Sequence, residues 1–436
     1  MGDVPQAFLQ SPLQQFKNVQ RILVCFPQDI LPRDEHGNTI VYEVIGSIYG
    51  MKQAPYNFEQ TLAKFLTKLN FTRSQADPTL WFKPGILVLV WVDDISIRAT
   101  PECSEAFKTA MNREFGSCGF GPLTHCIGLT IIRNPKTNCI GFHQADFIQT
   151  LQKRFRITPN PKLTTPLPPG LYTSDKQLHG ALLSPEDRKT YLQICGCLTY
   201  IATWSFPSII YATSLLATDM QAPTKTHMQF ARRVLAYVTA RPYHGICTKL
   251  PKDISNFSVQ DKLANGFAPT ATLNHNKNIL RIYTDANFGK ERGYRSRGCV
   301  IITLNGAPIE FKSIPQSLVS LSTSESEVIA GSDGLKYILH LRHLMQEIGI
   351  TQPSTSFLCD SQNAVTWWKN GTRTQRNLHF GVRHARVSEE HQNKTVTIRH
   401  CSTEHMVADM GTKQLSGPKH HHFESLLMTD MADVEL

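Results

Sequence analysis

Ile86 to Ile97, ILVLVWVDDISI, is an apolar run of strand length broken by two adjacent carboxylates, Asp93 and Asp94. A run this apolar reads as buried strand. On one continuous strand adjacent side chains point to opposite faces, whereas a tight hairpin at the pair would bring both carboxylates near one point. Two carboxylates held together repel unless a cation or a proton relieves them. The stretch is therefore either a polar turn between two apolar strands or a divalent-metal site on a hairpin, and the choice rests on other residues.

The surroundings supply a scaffold. Asn57 to Leu69, NFEQTLAKFLTKL, puts Phe58, Leu62, Phe65, Leu66 and Leu69 at helical spacing, and residues 104–114 read as a second helix. HCIGLTIIRNPKTNCIGFHQ reads as a hairpin turning at Asn134 to Asn138. Residues 1–135 are thus expected to form a mixed α+β region. Residues 136–250 are helix-rich, interrupted by the proline-heavy TPNPKLTTPLPPG from Thr158 to Gly170. Residues 251–278 are polar without periodicity and read as a linker. Over 279–415 the order is βββαβαβα, with one helix from about Ser324 to Ile348, which suits a compact α/β domain. Residues 416–436 are expected to be a C-terminal tail in which His420 to His422 are solvated.

Composition narrows the classes. A chain of 436 residues calls for two to three domains, and 41% hydrophobic with 18% charged residues describes a folded chain. A net charge of +10 favours a polyanionic partner. Eleven cysteines lack zinc-ligand spacing, which fits reduced thiols in an intracellular protein. No apolar run approaches the roughly 20 residues of a membrane span.

In the last domain acidic residues fall where an α/β metal site would place them. Asp285 interrupts a strand, Glu327 lies on the long helix, Asp360 ends the next strand, and Asp409 sits in STEHMVADM. Singly they read as a turn residue, a helix face, an N-cap and another helix face. Together they offer the converging oxygens that two-metal phosphodiester hydrolysis requires.

YGMKQAP (Tyr49 to Pro55), FTRSQADPTLWF (Phe71 to Phe82) and VDDI (Val92 to Ile95) resemble the reverse transcriptase of copia-type LTR retrotransposons. YLQICGCLTYIATWSFPSIIYA, IYTDANFG, IEFKSIPQSLVSLSTSESEVIA and FLCDSQNAV resemble the same family's connection and ribonuclease H regions, in the same order. The resemblance implies an α+β chain: a palm remnant, a helical thumb and connection, then an α/β ribonuclease H-like domain. DVPQAFL looks like the first polymerase motif, which makes Asp3 the metal-binding partner of Asp93 and Asp94. Phe8 matches the aromatic that excludes a ribose 2′-hydroxyl, with core packing as its alternative. Gly50 and Lys52 match the motif beneath template and incoming nucleotide, with a plain turn as the alternative. Ile127-Gly128-Leu129 resembles the primer-holding hairpin.

For the C-terminal part the resemblance assigns Asp285, Glu327, Asp360 and Asp409 to a second metal site that cuts RNA in an RNA–DNA hybrid. Glu325 competes with Glu327 on the same helix. Lys225, Arg232 and Arg233 on one helix, and Arg292, Arg295 and Arg297 after Asp285, are candidates for tracking a phosphate backbone. The implied cofactor is Mg²⁺, two ions per site, with Mn²⁺ as a substitute. The implied partners are an RNA template, a DNA primer, the RNA–DNA hybrid and deoxynucleoside triphosphates, in a cytoplasmic particle with a nuclear phase. Trp91 and Gly381 depart from the family's usual Tyr and acidic residue. MGDVPQAFL runs straight into a strand pattern, so the chain is expected to begin inside the polymerase, without its fingers, and to cleave hybrids better than it extends primers. The rival expectation is a catalytically defective relic that folds and binds nucleic acid.

Overall fold

The computed structural model describes residues 1–12, 22–24, 32–134, 139–174, 178–248, 278–371 and 381–432. Most of the expected linker, the 135–138 turn and the segment 372–380 lie outside these. Two compact units form, Met1–Cys126 and Ile127–Leu436. The hairpin strand after Ile127, expected with the first region, therefore belongs to the second unit.

The first unit is built on an antiparallel five-stranded sheet. Its strands run in the spatial order Gly2–Asp3, Asp94–Ala99, Ile86–Trp91, Leu80–Lys83 and Thr72–Arg73. Ile86, Val88 and Val90 face inward, while Leu87 and Leu89 on the other face are only half-buried. The run that reads as buried on both faces is thus one-sided; its period of two is hidden because both faces carry apolar residues. The helices Ala54–Lys68 and Pro101–Phe115 complete the core through Phe58, Leu62, Leu66, Phe107 and Met111. Thr100 caps the second helix by accepting from Cys103 N–H.

In the second unit, Thr429–Asp430, His244–Cys247, Cys139–His143 and Leu129–Asn134 lie side by side in that order, all antiparallel. Around them stand the helices Ala145–Phe155, Pro185–Trp204, Ile210–Thr218 and Lys225–Thr239. A further five-stranded sheet has the order Ala307–Pro315, Arg297–Leu304, Leu280–Asn287, Thr355–Cys359, Val396–His400. The first three strands pair antiparallel and the last two join in parallel, as the ribonuclease H-like reading expects.

The long helix Thr323–Glu347 packs on one face of this sheet against Ile282, Val300, Phe357 and Trp368. It can approach closely because of two glycines. A Cβ on Gly331 would stand 2.5 Å from Trp368, and one on Gly334 2.8 Å from Thr284 Cγ2. On the other face, Tyr283, Ile301, Phe311 and Leu358 share a core with Ile209, Tyr211, Leu215 and Val234 of the helical region. Residues 136–250 and 279–415 are therefore joined by one hydrophobic core.

The expected tail is also part of that core. Gly417–Leu427 is a helix that buries His420, Phe423 and Leu427, and Thr429–Asp430 pairs with His244–Cys247. His420 is 1% exposed and its Nε2 lies 3.1 Å from Ser208 O, so it is not solvated as its run of three histidines suggests.

Candidate functional site

Leu280–Asn287 is buried on both faces for most of its length, so Asp285 enters the interior with it. Its parallel neighbour ends at Cys359, which leaves Asp360 at the carboxyl edge of the sheet, where open α/β sheets place their ligands. Glu327 comes from the N-terminal part of the long helix and Asp409 begins the short helix Asp409–Thr412. Ligand atoms of Asp285, Asp360 and Asp409 lie within 4.8 Å of one another, as do those of Glu327, Cys359 and Asp360. Glu325 does other work: its Oε2 accepts from Leu321 N–H at 2.6 Å, while Ser322 Oγ accepts from Glu325 N–H at 3.1 Å. These contacts cap the helix start and occupy Glu325 there, leaving Glu327 to face the aspartates.

Three of the four acids are buried and Asp360 is half-buried, so negative charge is crowded into little space. Asp285 is 3%, Glu327 3% and Asp409 0% exposed. Burial, then Asp409 and Asp360, pushes the Asp285 carboxyl up to about 7. Burial, then Asp285 and Asp360, raises Glu327 well above the usual carboxylate range. Asp360 is raised by burial and by Asp409. Thr412 O–H donates to Asp285 Oδ2, Thr403 O–H to Asp360 Oδ2 at 3.1 Å, and Cys359 S–H to Glu327 Oε2 at 3.8 Å. Lys413 Nζ stands 2.6 Å from Asp409 Oδ1 and Lys419 Nζ 2.6 Å from Asp409 Oδ2. Desolvation opposes the charge on Lys413, but Asp285 and Asp409 outweigh it and hold its pKa above the ordinary value. Buried oxygens that repel one another fit a hard divalent cation, which would relieve what burial and proximity impose.

In the first unit, Asp3 pairs directly with Asp94 across antiparallel strands. Trp91 opposite Asp94 leaves a two-residue loop, Val92-Asp93, with Val92 at φ +58°. A β-branched residue adopts that conformation only at a cost. Asp94 is raised by burial, then by Asp93, then by Asp3, so both neighbouring carboxylates act on it. They are more open than the second cluster: among the described residues, the groups of three with ligand atoms mutually within 4.8 Å do not include this trio. Phe8 is half-buried, with its ring 4.8 Å from Tyr49 and 6.5 Å from Phe58. Gly50 has φ +94° in the exposed turn that leads past exposed Lys52 into the helix at Ala54. Ile127 and Gly128 turn at φ +49° and +72°, held by Tyr200 O–H donating to Ile127 O at 2.9 Å.

The basic candidates divide. Arg297 is 0% exposed and pairs with Glu291 at 2.8 Å, so this residue is an internal strut and not a phosphate contact. Arg233 donates to Pro166 O and Thr165 O, both at 3.2 Å, and so pins the proline-rich loop. Arg292 is bidentate on Asp219 at 2.6 and 3.1 Å, yet remains half-exposed. Lys225, Arg232 and Arg295 are exposed, with Arg232 reaching Phe155 O at 3.4 Å. Sequence reasoning overlooked Lys413, Lys419, Thr412 and Cys359. Lys413 had a signal, since it follows Asp409 by one helical turn; Lys419 comes from the segment read as a tail.

Residues 2–169 match the family model described as reverse transcriptase (RNA-dependent DNA polymerase). The chain is 26% identical over 376 residues to a retrovirus-related Pol polyprotein from transposon TNT 1-94 of Nicotiana tabacum, covering 84% of this chain and 26% of that one. It is 27% identical over 437 residues to the Pol polyprotein from transposon RE1 of Arabidopsis thaliana, covering 97% of this chain and 27% of that one. The chain thus spans about a quarter of the length of these relatives. A foamy viral protease-reverse transcriptase solved with an RNA/DNA hybrid superposes at a TM-score of 0.44 and 12% identity, over 92% of this chain and 43% of that one, a score too low to define a common fold.

Proposed function

We propose that this chain is the reverse transcriptase and ribonuclease H region of a copia-type retrotransposon Pol polyprotein, an RNA-directed DNA polymerase with ribonuclease H activity. The observation that carries the nuclease is the buried convergence of Asp285, Asp360 and Asp409, with Glu327 beside Asp360. These four would hold Mg²⁺, or Mn²⁺ in its place. When bound, such ions supply a nucleophilic water and charge neutralisation at the phosphate.

The chain's own residues prepare that site. Thr412 and Thr403 fix the rotamers of Asp285 and Asp360, and Cys359 orients Glu327. Lys413 offsets part of the negative charge. Exclusion of water from Asp285, Glu327 and Asp409 lowers the local dielectric and strengthens every charge interaction there. Asp3, Asp93 and Asp94 would serve polymerisation, with Phe8 beside Tyr49 near the sugar and Gly50 and Lys52 beneath template and nucleotide. The substrates on this reading are an RNA template, a DNA primer, deoxynucleoside triphosphates and the hybrid they produce. No described helix is long and apolar enough to cross a membrane.

The test is one preparation with Mg²⁺, assayed on a hybrid labelled in its RNA strand and on a primed RNA template. Cleavage of the RNA strand that Asp360→Asn abolishes supports the nuclease, and extension that Asp94→Asn abolishes supports the polymerase. Folded protein that binds hybrid but does neither would leave the relic reading standing.

A further inference from the structure

Asp409 is the most enclosed of the four acids; its Oδ2 accepts from Lys419, and its Oδ1 has Lys413 at ion-pair distance. Lys413 holds Oδ1 and Lys419 holds Oδ2, each at 2.6 Å. An ammonium beside each oxygen crowds the carboxylate and offsets its charge, so a cation approaching Asp409 competes with the lysines for it. The two lysines are not equivalent. Lys413 sits one turn from Asp409 on the same segment, and Asp285 and Asp360 also act on it, so it neutralises the cluster as a whole. Lys419 faces Asp409 from a different helix, Gly417–Leu427. That helix is rooted in the helical region: Glu424 Oε1 accepts from Ser208 O–H at 2.7 Å and Tyr237 O–H at 2.9 Å.

Lys419 also has somewhere to go. It lines a cavity of about 350 Å³ with Thr403, Glu404, His405 and His422, so Glu404 offers a second carboxylate to the same flexible side chain. Its ammonium lies 5.3 Å from the Phe423 ring, which keeps its stem along the helix.

We propose that Lys419 is a displaceable counter-ion of the nuclease centre: its ammonium occupies Asp409 in the metal-free chain, and a divalent cation binds by exchanging with it. The C-terminal helix thereby sets the metal affinity of a site made by the sheet. This rests on the two-metal reading of the cluster. Competition for one carboxylate is a negative coupling between lysine and ion, and such couplings commonly reach fivefold or more in affinity.

The experiment is direct Mn²⁺ binding to the full chain without nucleic acid, read from the electron paramagnetic resonance signal of the free ion. Lys419→Gln is expected to bind Mn²⁺ at least about fivefold tighter than the unaltered chain. Lys419→Arg, which keeps the charge, should bind as the unaltered chain does, and the gain should vanish in Lys419→Gln/Asp409→Asn. Equal or weaker Mn²⁺ binding by a folded Lys419→Gln overturns the exchange while leaving the metal site in place. If Asp360→Asn and Asp409→Asn bind Mn²⁺ as well as the unaltered chain does, the metal site itself is wrong and the exchange falls with it.

Discussion

Asp360 follows the end of its strand and Asp94 opens its own, and each is raised by burial and by neighbouring acids. Asparagine at either keeps the shape and removes the charge. Asp360→Asn is expected to lower hybrid cleavage by about 10²- to 10³-fold and leave primer extension within about twofold, with Asp94→Asn doing the reverse; loss of both activities in either variant would contradict two independent centres. Asp285 makes a pH prediction. Its folded pKa, about 7, lies above the ordinary 3.8, so the folded state holds a proton that the unfolded state has released. The contribution is fully present below about 3.8 and is lost as pH rises through about 7, so the metal-free chain loses stability across that window. In EDTA, the melting temperature should fall between pH 5 and pH 8 more steeply for the unaltered chain than for Asp285→Asn. Mg²⁺ should restore more at pH 8 than at pH 5. Parallel profiles for the two proteins would remove Asp285 as the titrating group. The sequence names all four acids only through the family motifs around them, since singly Asp285 reads as a turn residue, Asp360 as a cap, and Glu327 and Asp409 as helix faces. Their lysine partners were not legible, because ion pairs between distant segments leave no local pattern.

The long helix shows what a single element can and cannot reveal before folding. Its span was readable to within a residue or so, and the pattern Ser322-x-x-Glu325 is itself a capping signature that marks Glu325 as structural. What periodicity could not supply is how near the helix lies to the sheet, which Gly331 and Gly334 decide by lacking a Cβ. Gly334→Val would drive a branched side chain into Thr284, Ile282 and Val300. The expected cost is about 1–3 kcal/mol, read from the midpoint of urea unfolding, together with weaker hybrid cleavage as Glu327 is lifted from Asp360. A midpoint unchanged from the parent would mean that the helix has slack there. The hairpin carrying Asp93 and Asp94 was equally legible, yet nothing in the sequence signals φ +58° at Val92, where glycine would be the ordinary choice.

Across the whole chain, the charge of +10 overstates the surface available to a polyanion, because Arg297 and Arg233 are spent on internal contacts. The larger departure from the sequence reading is at the C-terminus. Ser416 followed by Gly417-Pro418 is a helix-start signal, with a capping residue type and proline in the first turn, but three consecutive histidines masked the apolar face behind it. Phe423 is 0% exposed and shares a core with Tyr211, Val234 and Met410, so this helix ties the helical region to the short segment that begins at Asp409. Phe423→Ala should therefore cost about 3–5 kcal/mol of unfolding free energy, the range for truncating a fully buried aromatic. If the helix only decorates the surface, circular dichroism in urea will give the same midpoint for variant and parent. If it is part of the shared core, the midpoint falls and hybrid cleavage falls with it under native conditions, since the short segment that carries Asp409 loses its support.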